Sequence, residues 1–319
     1  MNKPRIAVIG TGYLGKFHAQ KYAGMEEVEL VGVADTSFAS AQKTARDCST
    51  TAYTDYRDLK DKVDAVSVVV PTNAHFEVSR FFLEHGVDVL IEKPVTNTLK
   101  EADALIEKAE SKGLIIQVGH LERFNSAVVP LRNIVKKPLF IESHRLSTFK
   151  GRGIDVSVVL DLMIHDIDII SNFVQSELTG IHAAGVSVIS DHVDIANARL
   201  EFASGCVANV TASRISMKDE RKIRMFQKDA YISVDFSTHE ITIVKKGEGA
   251  EDAVIPGMDI QSLNFAKSDA LDDELRSFVH SIIHRHTPEV TGQMGREALR
   301  IALSIMKQIK KNRNHIQEF

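Results

Sequence analysis

The strongest constraint on the fold is an alternation in the first third of the chain. Short, nearly continuous apolar runs, RIAVIG (5–10), VELVGVAD (28–35), DAVSVVVP (64–71), VDVLIEKP (87–94) and LIIQVGH (114–120), are separated by helix-period stretches over roughly 14–23, 37–47, 74–85 and 99–112. Apolar runs without polar alternation read as strands covered on both faces. Strand–helix–strand repetition then predicts a parallel sheet flanked by helices. After His120 the pattern changes. A helix is predicted over 126–136, a strand over 138–147, and a helix through VVLDLMIHDIDII (158–170). From 177 to 246 only strands are read. YISVDFS alternates cleanly, and EFASGCVANV (201–210) reads as a hairpin turning at Ser204-Gly205. Helices are predicted near 269–286 and 292–311. The expected class is α/β: residues 1–120 form a doubly wound parallel-sheet domain, and 121–319 form an α+β domain with a large, mostly antiparallel sheet.

Composition narrows the function. A net charge of -4 argues against nucleic acid or an anionic membrane surface as partner. Cys48 and Cys206 are the two cysteines and form no CxxC pair, which fits a reducing cytoplasm without a disulfide framework or a cysteine zinc site. No segment is long enough to span a bilayer, and the apolar run after MNKPR is too short for a signal-peptide core. A soluble, cytoplasmic protein is expected.

IAVIGTGYLGKFHA places Gly10, Gly12 and Gly15 in G-x-G-x-x-G spacing, with Tyr13 and Leu14 inside it. The motif follows a predicted strand and opens a predicted helix, the context that gives it meaning as a Rossmann dinucleotide-binding turn. Phosphates would sit at the helix N-terminus. Asp35 closes the second strand, where an acid binds the adenosine ribose. Thr36 and Ser37 follow it with no adjacent Arg or Lys, so NAD is expected over NADP. Pro71, Thr72, Asn73 and His75 lie at a strand's C-terminal end, where ligands bind in such sheets. Asn73 is a candidate cap, and His75 either faces the crevice or is a surface histidine in a first helical turn. Glu92-Lys93-Pro94 ends a buried strand, and the proline stops further pairing. Lys93 is either held beside the cofactor or is a solvated strand-end lysine.

VVLDLMIHDIDII carries Asp161, His165, Asp166 and Asp168 in a segment that reads as buried. On a regular helix Asp161, His165 and Asp168 share a face, while Asp166 points about 100° away from His165 and reads as solvated. His165 suits a general base. Catalysis, a structural hydrogen-bond network and a divalent-metal site all remain open on spacing alone, although no further cluster completes a metal site.

These motifs, with Pro71-Thr72-Asn73-Ala74-His75, Glu92-Lys93-Pro94 and Asp161-x-x-x-His165 in order along the chain, resemble the glucose–fructose oxidoreductase / inositol dehydrogenase (Gfo/Idh/MocA) family of NAD(P)-dependent sugar oxidoreductases. The resemblance implies a Rossmann domain, an α+β domain whose open sheet joins subunits into a homodimer or homotetramer, and a catalytic group of Lys93, Asp161 and His165. Gly10, Gly12, Tyr13, Leu14, Gly15, Asp35, Pro71, Thr72, Asn73, His75, Glu92 and Lys93 are then the expected cofactor residues. VGHLERFNSAV (118–128) and the VVLDLMIHDIDII stretch are similar to the family's sugar-nucleotide 3-dehydrogenases, which oxidise C3 of a UDP-N-acetylhexosamine. Such a diphosphate needs cations, and Arg123, Arg145, Arg152 and Arg214 are candidates, with Asn125 beside them. The alternatives are a dehydrogenase or reductase of a free sugar or cyclitol, and an NAD-binding sensor without turnover.

Overall fold

The computed structural model describes residues 3–149, 151, 156–247 and 257–316. It divides into two compact units, Met1–Leu121 with Asp269–Leu299, and Glu122–Ser268 with Arg300–Phe319.

In the first unit, β1 (Arg5–Ile9), β2 (Glu29–Ala34), β3 (Thr51–Tyr53), β4 (Ala65–Val68), β5 (Asp88–Glu92) and β6 (Ile116–Gly119) form one sheet in the order β3-β2-β1-β4-β5-β6. Every pairing is parallel. This is the doubly wound order whose direction reverses between the first and fourth strands, and ligands bind at that switch point. The connecting helices are α1 (Gly15–Gly24), α2 (Phe38–Asp47), α3 (Thr72–Glu84) and α4 (Leu99–Lys112). Local chemistry sets their ends. Ser37 caps α2, and α4 carries a Thr98–Glu101 capping box and ends at Gly113 in the left-handed conformation. Helix α3 begins at Thr72 with Pro71 at the N-cap, so Asn73 lies inside the first turn and is not the cap. The short strand β3 and the 3-10 turn at Tyr56–Leu59 were not expected from the sequence.

This unit also holds α7 (Ala270–His284) and the start of α8 (Gly292–Ile316), which the sequence reading assigned to the second domain. Packing decides the matter. Leu275, Phe278, Val279 and Ile282 of α7 share one core with Ile6, Val8, Tyr22 and Leu90. Gln117 donates to Glu274 O at 3.0 Å and bridges to Thr291.

The second unit is built on an eight-stranded sheet, ordered β14-β13-β12-β11-β7-β10-β9-β8. Its strands are β7 (Pro138–Leu146), β8 (Leu178–Val186), β9 (Ile195–Phe202), β10 (Val207–Ser213), β11 (Glu220–Gln227), β12 (Ala230–Asp235), β13 (Glu240–Lys246) and β14 (Met258–Asn264). All pairs are antiparallel except β7 with β10. Gly205 takes a φ of 84° in the β9–β10 hairpin, as the Ser-Gly turn predicts. The helix predicted over 126–136 is reduced to α5 (Leu131–Ile134). Asn125 accepts the Ala127 N–H through its side chain and the Val128 N–H through its carbonyl, a local turn that competes with helix up to Pro130. The segment after Ser157 begins as a π-helical turn, Val159–Met163, and continues as α6 (Ile164–Val174).

Candidate functional site

In the first unit the glycines do what the motif requires. At Gly15 an added Cβ would lie 1.9 Å from Gly10 O, and at Gly10, whose φ is 96°, it would lie 2.4 Å from Val69 O. At Gly12 nothing lies within 4 Å. Two glycines are thus fixed by close backbone approach, and the third faces open space that a ligand can enter. Leu14 occupies the N-cap of α1 and no side chain caps that helix, which leaves its N-terminal end available to an anion. Tyr13 is exposed and meets Phe17 edge-on, with the Lys16 ammonium over its ring. A cavity of about 410 Å³ opens beside these residues, lined by Gly10, Gly12, Asp35, Thr36, Thr54, Tyr56, Val70, Pro71 and Ala74 among others. Thr54 and Tyr56 follow β3 and were missed from the sequence. The β-branched TTAYT run was the available signal.

Asp35 has a second task. Its carboxylate accepts the Thr11 N–H at 2.8 Å, the Thr11 hydroxyl at 3.0 Å and the Ser37 N–H at 2.9 Å. The acid therefore pins the glycine turn to the end of β2. A carboxylate offers about four acceptor sites, so capacity for a ribose hydroxyl remains. These features fit a dinucleotide, with the phosphates on the turn and the adenosine ribose at Asp35.

Glu92 and His75 do not line that cavity. Both are buried, and His75 is 1% exposed, which excludes a surface histidine. Its Nδ1 lies 2.9 Å from Pro94 O and its Nε2 2.9 Å from Val70 O. Burial lowers its pKa against the pull of those carbonyls. Lys93 is half-buried at the end of β5.

In the second unit the polar residues of VVLDLMIHDIDII separate into two kinds. Asp161 and His165 are half-buried, on the π-helical turn and the first turn of α6. Asp166 is 1% exposed, not solvated as its helical phase suggested. The offset from His165 holds, since both residues lie on α6; what it does not show is that α6 is buried nearly all round, Ile164 and Asp166 through Ile170 included. Asp166 is gripped by Arg145, with Nε 3.0 Å from Oδ2 and Nη2 2.8 Å from Oδ1. Arg145 reaches Glu122 as well, at 3.0 Å. Asp168 is buried 3.6 Å from Arg123. Burial pushes the Asp166 carboxyl up, whereas at Glu122 the Arg145 and Arg221 charges overcome burial and hold the carboxyl low.

The arginines expected to meet a diphosphate are thus committed elsewhere. Arg123 and Arg145 are buried against carboxylates. Arg214 is buried, donating to Val156 O at 2.5 Å and lying 3.9 Å from Asp194. Asn125 is nearly buried and bonded to Phe236 O and Ala127 N. Arg152 lies outside the described residues. Among those residues no group of three or more His, Cys, Asp or Glu is placed to hold a metal ion, and no helix is long and apolar enough to cross a membrane.

A doubly wound parallel sheet with a dinucleotide turn, followed by a unit built on a large, mostly antiparallel sheet, defines a two-unit protein of the Rossmann dinucleotide-binding class. The model of an oxidoreductase family with an NAD-binding Rossmann fold matches residues 4–120, and that of the Gfo/Idh/MocA C-terminal domain matches residues 142–233. The chain belongs to the Gfo/Idh/MocA oxidoreductase family and is an oxidoreductase acting on CH–OH groups. It is 38% identical over 302 residues to the UDP-N-acetylglucosamine 3-dehydrogenase of Acidithiobacillus ferrooxidans, covering 94% of this chain and 96% of that one. A solved structure of that enzyme, GnnA, superposes with a TM-score of 0.93, covering 98% of this chain and 99% of the other. The scyllo-inositol 2-dehydrogenase (NAD(+)) of Bacillus subtilis is 28% identical, covering 90% of this chain and 88% of that one.

Proposed function

We propose that this chain is an NAD-dependent dehydrogenase that oxidises a secondary hydroxyl of a sugar, at C3 of a UDP-N-acetylhexosamine. The observation that carries this reading is the 38% identity over nearly the whole chain to a UDP-N-acetylglucosamine 3-dehydrogenase. NAD over NADP is supported by Asp35 and by a cavity lining that includes neither Lys nor Arg. A bound nicotinamide supplies the two-electron acceptor; the chain's own residues handle the proton. In this reading His165 takes the hydroxyl proton, Asp161 orients it or holds the substrate, and Lys93 stabilises the oxygen on which charge develops. With Arg123, Arg145 and Arg214 engaged in buried contacts, Arg152 is the remaining candidate for the diphosphate. The chain is read as a cytoplasmic homodimer or homotetramer assembled through the eight-stranded sheet.

The test is NADH formation at 340 nm with a panel of UDP-sugars, inositols and aldoses. Turnover of UDP-N-acetylglucosamine, lost in Lys93→Met and His165→Ala while NADH affinity persists, is the expected result. Turnover confined to free polyols removes the sugar-nucleotide assignment. Full activity in both variants removes the catalytic one.

A further inference from the structure

Lys93 is flanked by two buried residues, and each is tied to a different cofactor-binding element by a histidine. Glu92, the residue before it, is the last residue of β5. Its carboxylate lies against Gly119, where an added Cβ would meet Cδ at 2.9 Å. Oε1 is 3.3 Å from Nε2 of His18, and Oε2 accepts the Lys93 backbone N–H at 3.3 Å. His18 is fully buried on α1, the helix that the glycine turn opens. Burial opposes ionisation of Glu92, but His18, Lys93 and His75 outweigh it and hold the carboxyl low. Neither ring nitrogen of His18 is in hydrogen-bonding geometry, so its tie to Glu92 is a close polar contact between two buried groups.

Pro94, the residue after Lys93, is tied from another direction. Its carbonyl meets Nδ1 of His75, and Nε2 of the same ring meets Val70 O, both at 2.9 Å. His75 belongs to α3, and Val70 and Pro71 line the cofactor cavity. A neutral ring donates from one nitrogen only, so one contact is its hydrogen bond and the other a close approach, and together they seat the ring between the cavity wall and the segment that carries the lysine.

We infer that His18 and His75 are positioning residues, holding Lys93 in register with the two turns that receive the dinucleotide. The inference rests on the role proposed for Lys93 above. Neither histidine is given a step of its own. Their effect is on where the ammonium stands, and a displacement of 1 Å at a reacting centre costs on the order of 100-fold in rate.

The test uses the full chain with His18→Leu, His18→Gln, His75→Leu and His75→Gln, and Lys93→Met as control. Four quantities are measured: kcat and KM for UDP-N-acetylglucosamine with NAD, NADH affinity by fluorescence, thermal stability, and the acetylation rate of Lys93 in saturating NADH by peptide mass spectrometry. The Leu variants are expected to lose roughly 30–100-fold in kcat. KM and NADH affinity should change less than about 3-fold, and Lys93 acetylation should change relative to Lys16. The Gln variants, which keep one amide donor, should recover a large part of kcat. Leu variants with wild-type kcat and unchanged Lys93 acetylation overturn the inference, as does a kcat loss matched by NADH affinity with no recovery in Gln. Should the Leu variants fail to fold, His18→Asn, whose side chain stops short of the Nε2 position, and His75→Ala, which removes both ring nitrogens, carry the same expectation, and wild-type kcat in both overturns it. An active Lys93→Met removes the role of the lysine, and the inference with it. An inactive Lys93→Met beside fully active histidine variants removes the inference alone.

Discussion

Arg145→Met separates two readings of the same guanidinium. As a substrate cation, Arg145 would leave stability unchanged when lost and raise KM. The structure makes it the counter-charge of two carboxylates, with three hydrogen bonds of 3.0, 2.8 and 3.0 Å to Asp166 and Glu122. Arg221, 3.5 Å from Glu122, still compensates that acid after the substitution. Asp166, 1% exposed, is left without its guanidinium. Breaking a buried pair by removing one partner costs about 3–5 kcal/mol, which lowers Tm by roughly 6–20 °C in a unit of this size. The sign of the pH dependence follows from Asp166. Burial already raises its folded pKa, and losing Arg145 raises it further, above the unfolded value of 3.8. The protonated fold is then favoured: the deficit is smallest below the unfolded pKa and grows as pH rises through the folded one. Thermal unfolding at pH 3.5, below the unfolded pKa, and at pH 8 should show the larger loss at pH 8. Arg145→Met with Asp166→Leu should recover most of it, because exchanging a whole buried pair for apolar groups is close to neutral. Wild-type Tm at both pH values, with only KM raised, would refute this reasoning.

The glycine turn supports a paired comparison. Gly12→Ala meets nothing within 4 Å, so Tm should hold while NADH affinity falls by about 10-fold or more; Gly15→Ala, driven into Gly10 O, should lose both affinity and about 1–3 kcal/mol of stability. Equal Tm in the two variants sinks the distinction. For Asp35→Ser, titration with NADH and NADPH should show the preference narrowed by about 10-fold, with NADH itself bound more weakly because Thr11 loses its anchor. An unchanged ratio assigns the preference elsewhere. Asp194 is buried, which opposes ionisation, yet the N–H groups of Ile189, Val188 and Ser190 and the Ser190 hydroxyl hold its pKa at about 2 against 3.8 unfolded. Its contribution is complete above pH 3.8 and lost as pH falls toward 2. Asp194→Asn should therefore cost about 2 kcal/mol at pH 7 in chemical denaturation, with the gap closing in acid.

The parallel-sheet unit was legible because its strands are buried on both faces and punctuated by glycine, proline and caps. Glu92 ends β5 as the motif suggests, and Thr98 and Gly113 bound α4. Strand β3 was the faintest, since three residues carry no period and only the TTAYT run over 50–54 hints at it. The membership of α7 was not legible either. Leu275, Phe278 and Ile282 mark an apolar face in the sequence, but only packing shows that it covers Ile6 and Leu90. Nor could the sequence reveal the turning inward of Glu92, because its partner His18 is remote along the chain and reads as an ordinary helical residue.

The acids of VVLDLMIHDIDII show where sequence reasoning needs tertiary structure. Burying a carboxylate is tolerable when a cation meets it, and spacing alone cannot say where that cation comes from. Arg123 meets Asp168 and Arg145 meets Asp166, both from outside the segment. The arginines expected to grip a phosphate instead hold the helix that bears Asp161 and His165. Polar residues that packing must compensate, Asp166 and Asp168, are thereby separated from the half-buried Asp161 and His165. Two of the four polar residues are thus neutralised inside the unit while the other two stay half-buried, and under the proposed sugar-nucleotide reading Arg152 is the first cation to test for the diphosphate.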